Sequence, residues 1–170
     1  MSEVRTPEPW LRGTLTDVAA VPRAVLHALE LAQEDLARWC GGLSDAELNA
    51  RPDGIAPVAF HMRHIARSID RLLSYAEGKR LDDSQIAALQ SELEGNATRA
   101  ELFAELEAAL ARAAIRIRPF DANHLPEPRP VGTKLLPTTV GGLLVHVADH
   151  TQRHVGQAIT TAKIVTARRG

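Results

Sequence analysis

Four segments of this 170-residue chain repeat apolar residues at three- and four-residue steps. That period builds an α-helix with one buried stripe and does not suit a half-buried strand. Val18, Val21, Val25, Leu29, Ala32, Leu36 and Trp39 form the first stripe, which Gly41-Gly42 stops. Val58, Met62, Ile65, Ile69, Leu72, Leu73 and Ala76 form the second, between Pro57 and Gly78. The third opens at Thr98-Arg-Ala-Glu101, a capping box whose two side chains satisfy each other's orphan backbone N–H groups. It runs on through Leu102, Phe103, Leu106, Leu110, Ala113 and Ile117. The fourth spans about Thr139 to Val165, with Val140, Leu144, Val147, Thr151, Val155, Ala158 and Ala162 on its stripe and Thr138 or Thr139 as N-cap.

Shorter pieces join these helices. Ser44-Asp-Ala-Glu47 has the form of a capping box and predicts a helical turn, and Ser84 to Leu93 can form a short helix before Gly95-Asn96. Residues 119–137 carry five prolines and form either a long ordered connection or a small hairpin. Residues 1–16 form an irregular arm, pinned by Trp10 and Leu11. Aromatic residues are only 4% of the chain, so its core must be aliphatic, which suits helices. The expected fold is all-α: a four-helix bundle, one domain over 1–170, with a long Pro-rich connection before the last helix.

Charge removes several function classes. Lys and Arg number 20 against 21 Asp and Glu, so the chain lacks the basic field that nonspecific nucleic-acid binding requires. The single cysteine, Cys40, excludes an internal disulfide framework and a thiolate metal cluster, and its place at a helix end suits a small core residue. No run approaches the ~20 apolar residues of a membrane span, and MSEVRTPEPW has no apolar stretch of a signal peptide, so no membrane partner and a cytoplasmic location are expected.

Histidines carry the chemistry. Five of the seven lie in HMRH (61–64) and HVADHTQRH (146–154). On the last helix His146, His150 and His154 are four residues apart, each rotated about 40° from the one before, and form a ladder beside the apolar stripe. His154 is nearest that stripe, His150 next and His146 farthest. Two imidazoles at i and i+4 can share one ion at roughly 2.0–2.1 Å. The second cluster lies on another helix of the same bundle and can add a ligand. On the helical wheel His61 is closer to its stripe than His64. Three neutral imidazoles leave a divalent ion its full charge and an open position, which is a catalytic rather than a closed structural arrangement. His27 falls opposite its stripe and is expected at the surface. His124 sits in the Pro-rich connection, and the acidic run in 82–107 reads as a solvated face.

HMRHIARSIDRLLSYAEG, followed some seventy residues on by TTVGGLLVHVADHTQRHVGQ, resembles the DinB-like superfamily of bacterial metal-binding four-helix-bundle proteins. The resemblance implies a metal site of one histidine on the second helix and an HxxxH pair on the last. By position it places the ligands at His64, His150 and His154, leaving His61 as a pocket residue or a residue behind a ligand. One departure is visible: many relatives have arginine directly after the last ligand, whereas here His154-Val155-Gly156-Gln157 follows Arg153. Gln157 projects on the ladder side and is, with His61, a candidate catalytic residue.

The resemblance further implies a small-molecule substrate, a low-molecular-weight thiol conjugated to an electrophile or used in an isomerisation, and a homodimer. The first helix carries Leu26 and Leu31 outside its stripe, which suits such a pairing. The ion would be zinc, nickel or iron, zinc or nickel favoured, and it would lower the pKa of a thiol as it does that of water. Two alternatives stand beside this: a metal-dependent hydrolase, for which the last helix offers only the outward-facing Asp149 as a base, and a non-catalytic metal-binding stress-response bundle.

Overall fold

The computed structural model describes residues 6–169. Helices α1 (Ala20–Cys40), α3 (Val58–Ala76), α5 (Arg99–Ile117) and α6 (Val140–Ala167) form the expected four-helix bundle. Two short helices, α2 (Asp45–Asn49) and α4 (Asp83–Gln90), lie between them, and strands β1 (Pro128–Val131) and β2 (Leu136–Thr139) precede α6. α3 packs against both α5 and α6, α6 also packs against α1, and the α1–α5 contact that closes the ring is looser.

The stripes read from the sequence line the interior, except Trp39 at the end of the first, which is 40% exposed with Lys163 over its ring. Leu36, Met62, Ile65, Ile69, Leu73, Leu102, Leu106, Ile117 and Leu144 are each less than 2% exposed. Burying a side chain of this size is worth about 1.5–3 kcal/mol, far more than helix propensity supplies, so tertiary packing holds these helices. Their starts are set locally. The amides of Glu47, Gln85 and Glu101 donate to Ser44, Asp82 and Thr98, and each N3 side chain accepts the cap residue's own N–H. Thr139, of the two candidates, caps α6 by accepting from the Gly142 amide at 3.1 Å.

The Pro-rich connection contains the hairpin, antiparallel in register from Pro128↔Thr139 to Val131↔Leu136. Arg129 ties it to the bundle by donating from Nε to the carbonyl of Ala76 at the end of α3, 2.8 Å away. Gly141 lets α6 start close to the connection: its amide donates to Leu125 O at 2.9 Å, and a Cβ there would lie 3.2 Å from that oxygen.

Three expectations are corrected. The N-terminal arm forms a short 3-10 turn at Pro9–Leu11, but Trp10 and Leu11 are exposed. The arm is held instead by buried Pro9 and by Arg12, which pairs with both carboxylate oxygens of Glu34 at 2.6 and 2.8 Å. His27 is buried rather than solvated, because the arm crosses its side of α1 and brings Thr14 Oγ1 within 3.1 Å of His27 Nε2. Leu26 is only 4% exposed, in a groove shared with Leu15 and Leu110, and does not offer a free apolar surface. Among the described residues no helix is long and apolar enough to cross a membrane.

Candidate metal centre

α3 and α6 run antiparallel through the histidine segments, since His61 meets His154 while His64 meets His150. The four-residue step on α6 stacks His150 and His154 on one side with ring centroids 4.6 Å apart. His64 completes a group whose ligand nitrogens lie within 4.8 Å of one another, His64, His150 and His154. These are the positions that the resemblance implied. The helical wheel was also informative: His61 is 4% exposed, deeper than any of the three.

The three rings differ in what lies behind them. His64 Nδ1 lies 2.6 Å from Glu92 Oε2, and its Nε2 faces His150 Nε2 at 2.8 Å. His61 Nδ1 lies 3.0 Å from His154 Nδ1, which leaves the Nε2 of His154 for a ligand. His150 Nδ1 is buried and has no hydrogen-bond partner among the described residues. Phe60 forms an apolar wall, stacked on His64 at 5.4 Å and edge-on to His61 and His154.

Burial, reinforced by the neighbouring histidines, pushes the imidazoles of His61 and His150 down to about 4, and burial with the nearby His64 and Arg153 does the same for His154. These rings are therefore neutral at physiological pH. Burial opposes ionisation of Glu92, but hydrogen bonds from His64 and Arg71 outweigh it and hold the carboxyl below its ordinary value. A neutral ring that gives its Nδ1–H to a carboxylate presents a lone pair at Nε2. Imidazole lone pairs converging on one point repel unless a proton or a metal ion lies between them, and this donor set suits a divalent ion of the zinc, nickel or iron type.

The other candidates lie outside the trio. His146 is exposed, its Nδ1 3.5 Å from Asp149 Oδ2, and Asp149 also pairs with Arg153 at 2.8 Å on the outer face of α6. His124 pairs with Asp121 in the connection. Gln157 is exposed, a turn beyond His154, and its side chain makes no hydrogen bond among the described residues.

Sequence reasoning missed Glu92, Phe60 and an arginine ladder. Glu92 belongs to the acidic run expected to be solvated, yet it is 4% exposed. It is buried because Arg63, Arg67 and Arg71, at four-residue steps on α3, draw the segment after α4 onto the bundle. Arg67 donates to Ala88 O and Ser91 Oγ, Arg63 to Glu94 O, and Arg71 to Glu92 Oε1. The regular spacing of those arginines was visible in the sequence, as was a phenylalanine beside the histidine segment of an aromatic-poor chain.

Residues 28–158, which include all four of these histidines, match the family model of the DinB superfamily. No curated protein matches this chain. A crystal structure described as a conserved protein from Enterococcus faecalis shares the fold, with a TM-score of 0.71 at 22% identity over 87% of this chain and 98% of that one.

Proposed function

The chain belongs to the DinB superfamily, and from that premise we propose that it is a metal-dependent enzyme acting on a low-molecular-weight thiol. His64, His150 and His154 hold one divalent ion, zinc or nickel in preference to iron. The observation that carries this reading is the convergence of three imidazole nitrogens from α3 and α6 within 4.8 Å. Such an ion, when bound, supplies a Lewis acid that favours the thiolate form of a sulfur ligand at neutral pH. The chain's own residues do the rest. Phe60 keeps water from one side of the rings, His61 orients His154, and Glu92 orients His64. Cys40 does not compete as a nucleophile, since burial pushes its thiol up to about 11.

The thiol reading stands ahead of hydrolysis because of where the carboxylates lie. A hydrolase needs a base on the reacting side of the ion. Glu92 is behind His64 with its second oxygen on Arg71, and Asp149 is exposed and paired with Arg153. A homodimer is proposed from the resemblance alone, Leu26 being buried, and light scattering that gives the mass of one chain would end it.

The test is metal analysis of protein purified without an affinity tag, followed by a panel of small thiols and electrophiles with and without the metal found. Metal-dependent loss of thiol that falls in H154A and survives in C40A supports the proposal. Metal-dependent hydrolysis that needs no thiol replaces it with the hydrolase reading. Bound metal with silence across the panel leaves a non-catalytic metal-binding bundle.

A further inference from the structure

We propose that Glu92 is the positioning residue of the metal centre, selecting the His64 tautomer whose Nε2 lone pair faces His150 and His154. The inference rests on the metal-binding reading of those three histidines. A neutral imidazole carries its proton on either nitrogen. With the proton on Nε2, His64 would point an N–H at His150 Nε2, 2.8 Å away, and one of three donors would be lost. The Glu92 carboxylate, 2.6 Å from Nδ1, accepts a hydrogen bond from an Nδ1–H and so fixes the productive form.

The rest of the contacts around Glu92 fit this role. Its oxygens are divided: Oε2 takes His64, and Oε1 takes the Arg71 guanidinium at 2.7 Å. Glu92 is therefore an acceptor behind a ligand and not itself a member of the ligand group. Its bond to Arg71 is also not the sole anchor of its segment. The chain around it is already pinned by Arg67 to Ala88 and Ser91, by Arg63 to Glu94, and by Arg51 to the carbonyl of Leu93. Burying an ionised carboxylate at 4% exposure is costly unless it is fully paired, and a plain anchoring role would not require one. Among the described residues, His154 is backed only by a neutral imidazole and His150 by nothing, so Glu92 alone places a charge behind a ligand.

The tautomer can be read without metal, from long-range proton–nitrogen NMR spectra of the imidazoles in the metal-free protein. Wild-type His64 is expected to carry its proton on Nδ1. E92A is expected to shift it to Nε2, and E92Q, which keeps an acceptor oxygen without the charge, to fall between. A cobalt titration followed by visible absorption is the second readout. One equivalent should bind throughout, about 10–100-fold more weakly in E92A, less so in E92Q, with altered ligand-field bands. A wild-type His64 protonated on Nε2 overturns the proposal, as do wild-type cobalt affinity and spectrum in both variants. If E92A does not fold, E92Q alone decides, and wild-type tautomer and affinity in E92Q count against the proposal. Should wild-type protein show the Nδ1–H tautomer yet bind no cobalt, the metal reading fails and the role of Glu92 toward His64 stands.

Discussion

Cys40 ends α1 with no exposed surface, and burial pushes its thiol from 9.0 up to about 11. At pH 7 roughly one molecule in ten thousand carries the thiolate, so a thiol-reactive dye should modify the protein only after denaturant is added. The shift also has a sign for stability. The folded state keeps a proton that the unfolded chain releases above pH 9, so Cys40's contribution is full below 9 and is lost as pH rises toward 11. Two units correspond to roughly 2–3 kcal/mol, and the alkaline loss of stability measured by urea unfolding should be smaller by about that amount in C40A. Identical pH profiles for the two proteins would refute it. In the metal site, H64A and H150A should abolish stoichiometric metal, while H61A, which removes only the group behind His154, should keep one equivalent at about tenfold lower affinity. Metal analysis of the three variants checks this. The histidine trio was legible because a four-residue step stacks side chains on a helix, and the family pattern then pointed to His64 rather than His61. Glu92 was not legible: it reaches His64 across 28 residues, through a turn whose place is set by arginines on another helix.

At the scale of elements, α5 shows how much a helix start depends on one side chain. Thr98 accepts from the Glu101 amide at 3.2 Å while Glu101 accepts from the Thr98 amide at 2.8 Å. T98A should lower folding stability by about 1 kcal/mol and leave metal affinity unchanged, since the Thr98 side chain bonds to Glu101 and not to a histidine. Calorimetry and metal titration on the same variant separate the two. α4 is built the other way round. It buries no side chain, turning Ile86 and Leu89 outward and Gln85 toward Asp70 and Ser74. Polar bonds alone hold it, so R67A, which deletes the bonds to Ala88 and Ser91, should raise amide hydrogen exchange across 83–94 while α3 and α6 stay protected. Exchange confined to wild-type levels there would show that the other arginines suffice. The long helices could be read from their stripes because burial demands a period. The hairpin was legible only as one of two alternatives, and the anchors of the hairpin and the arm were not, because a hydrogen bond to Ala76 and an ion pair with Glu34 fix them, and neither leaves a periodic trace.

Across the whole molecule the histidine trio joins α3 to α6, the pair with the most extensive mutual packing in the bundle. An ion held by residues 64, 150 and 154 can be bound tightly only when both helices are in place, because the unfolded chain separates His64 from His150 by 86 positions. A ligand of that kind adds RT ln(1 + [L]/Kd) to folding stability, about 2.7 kcal/mol at a free concentration one hundred times Kd. For a chain of this size 1 kcal/mol moves the melting temperature by about 2–4 °C, so stripping the ion should lower it by roughly 5–10 °C. The neutral state of His150 and His154 helps, as no proton must be displaced from either at pH 7. Chelation can also act on a protein nonspecifically, and H150A is the control: its melting temperature should already equal that of the stripped wild type and should not move when metal or chelator is added. Coincident melting curves for wild-type protein verified as metal-loaded and as metal-free would show that the ion contributes nothing to holding α3 against α6.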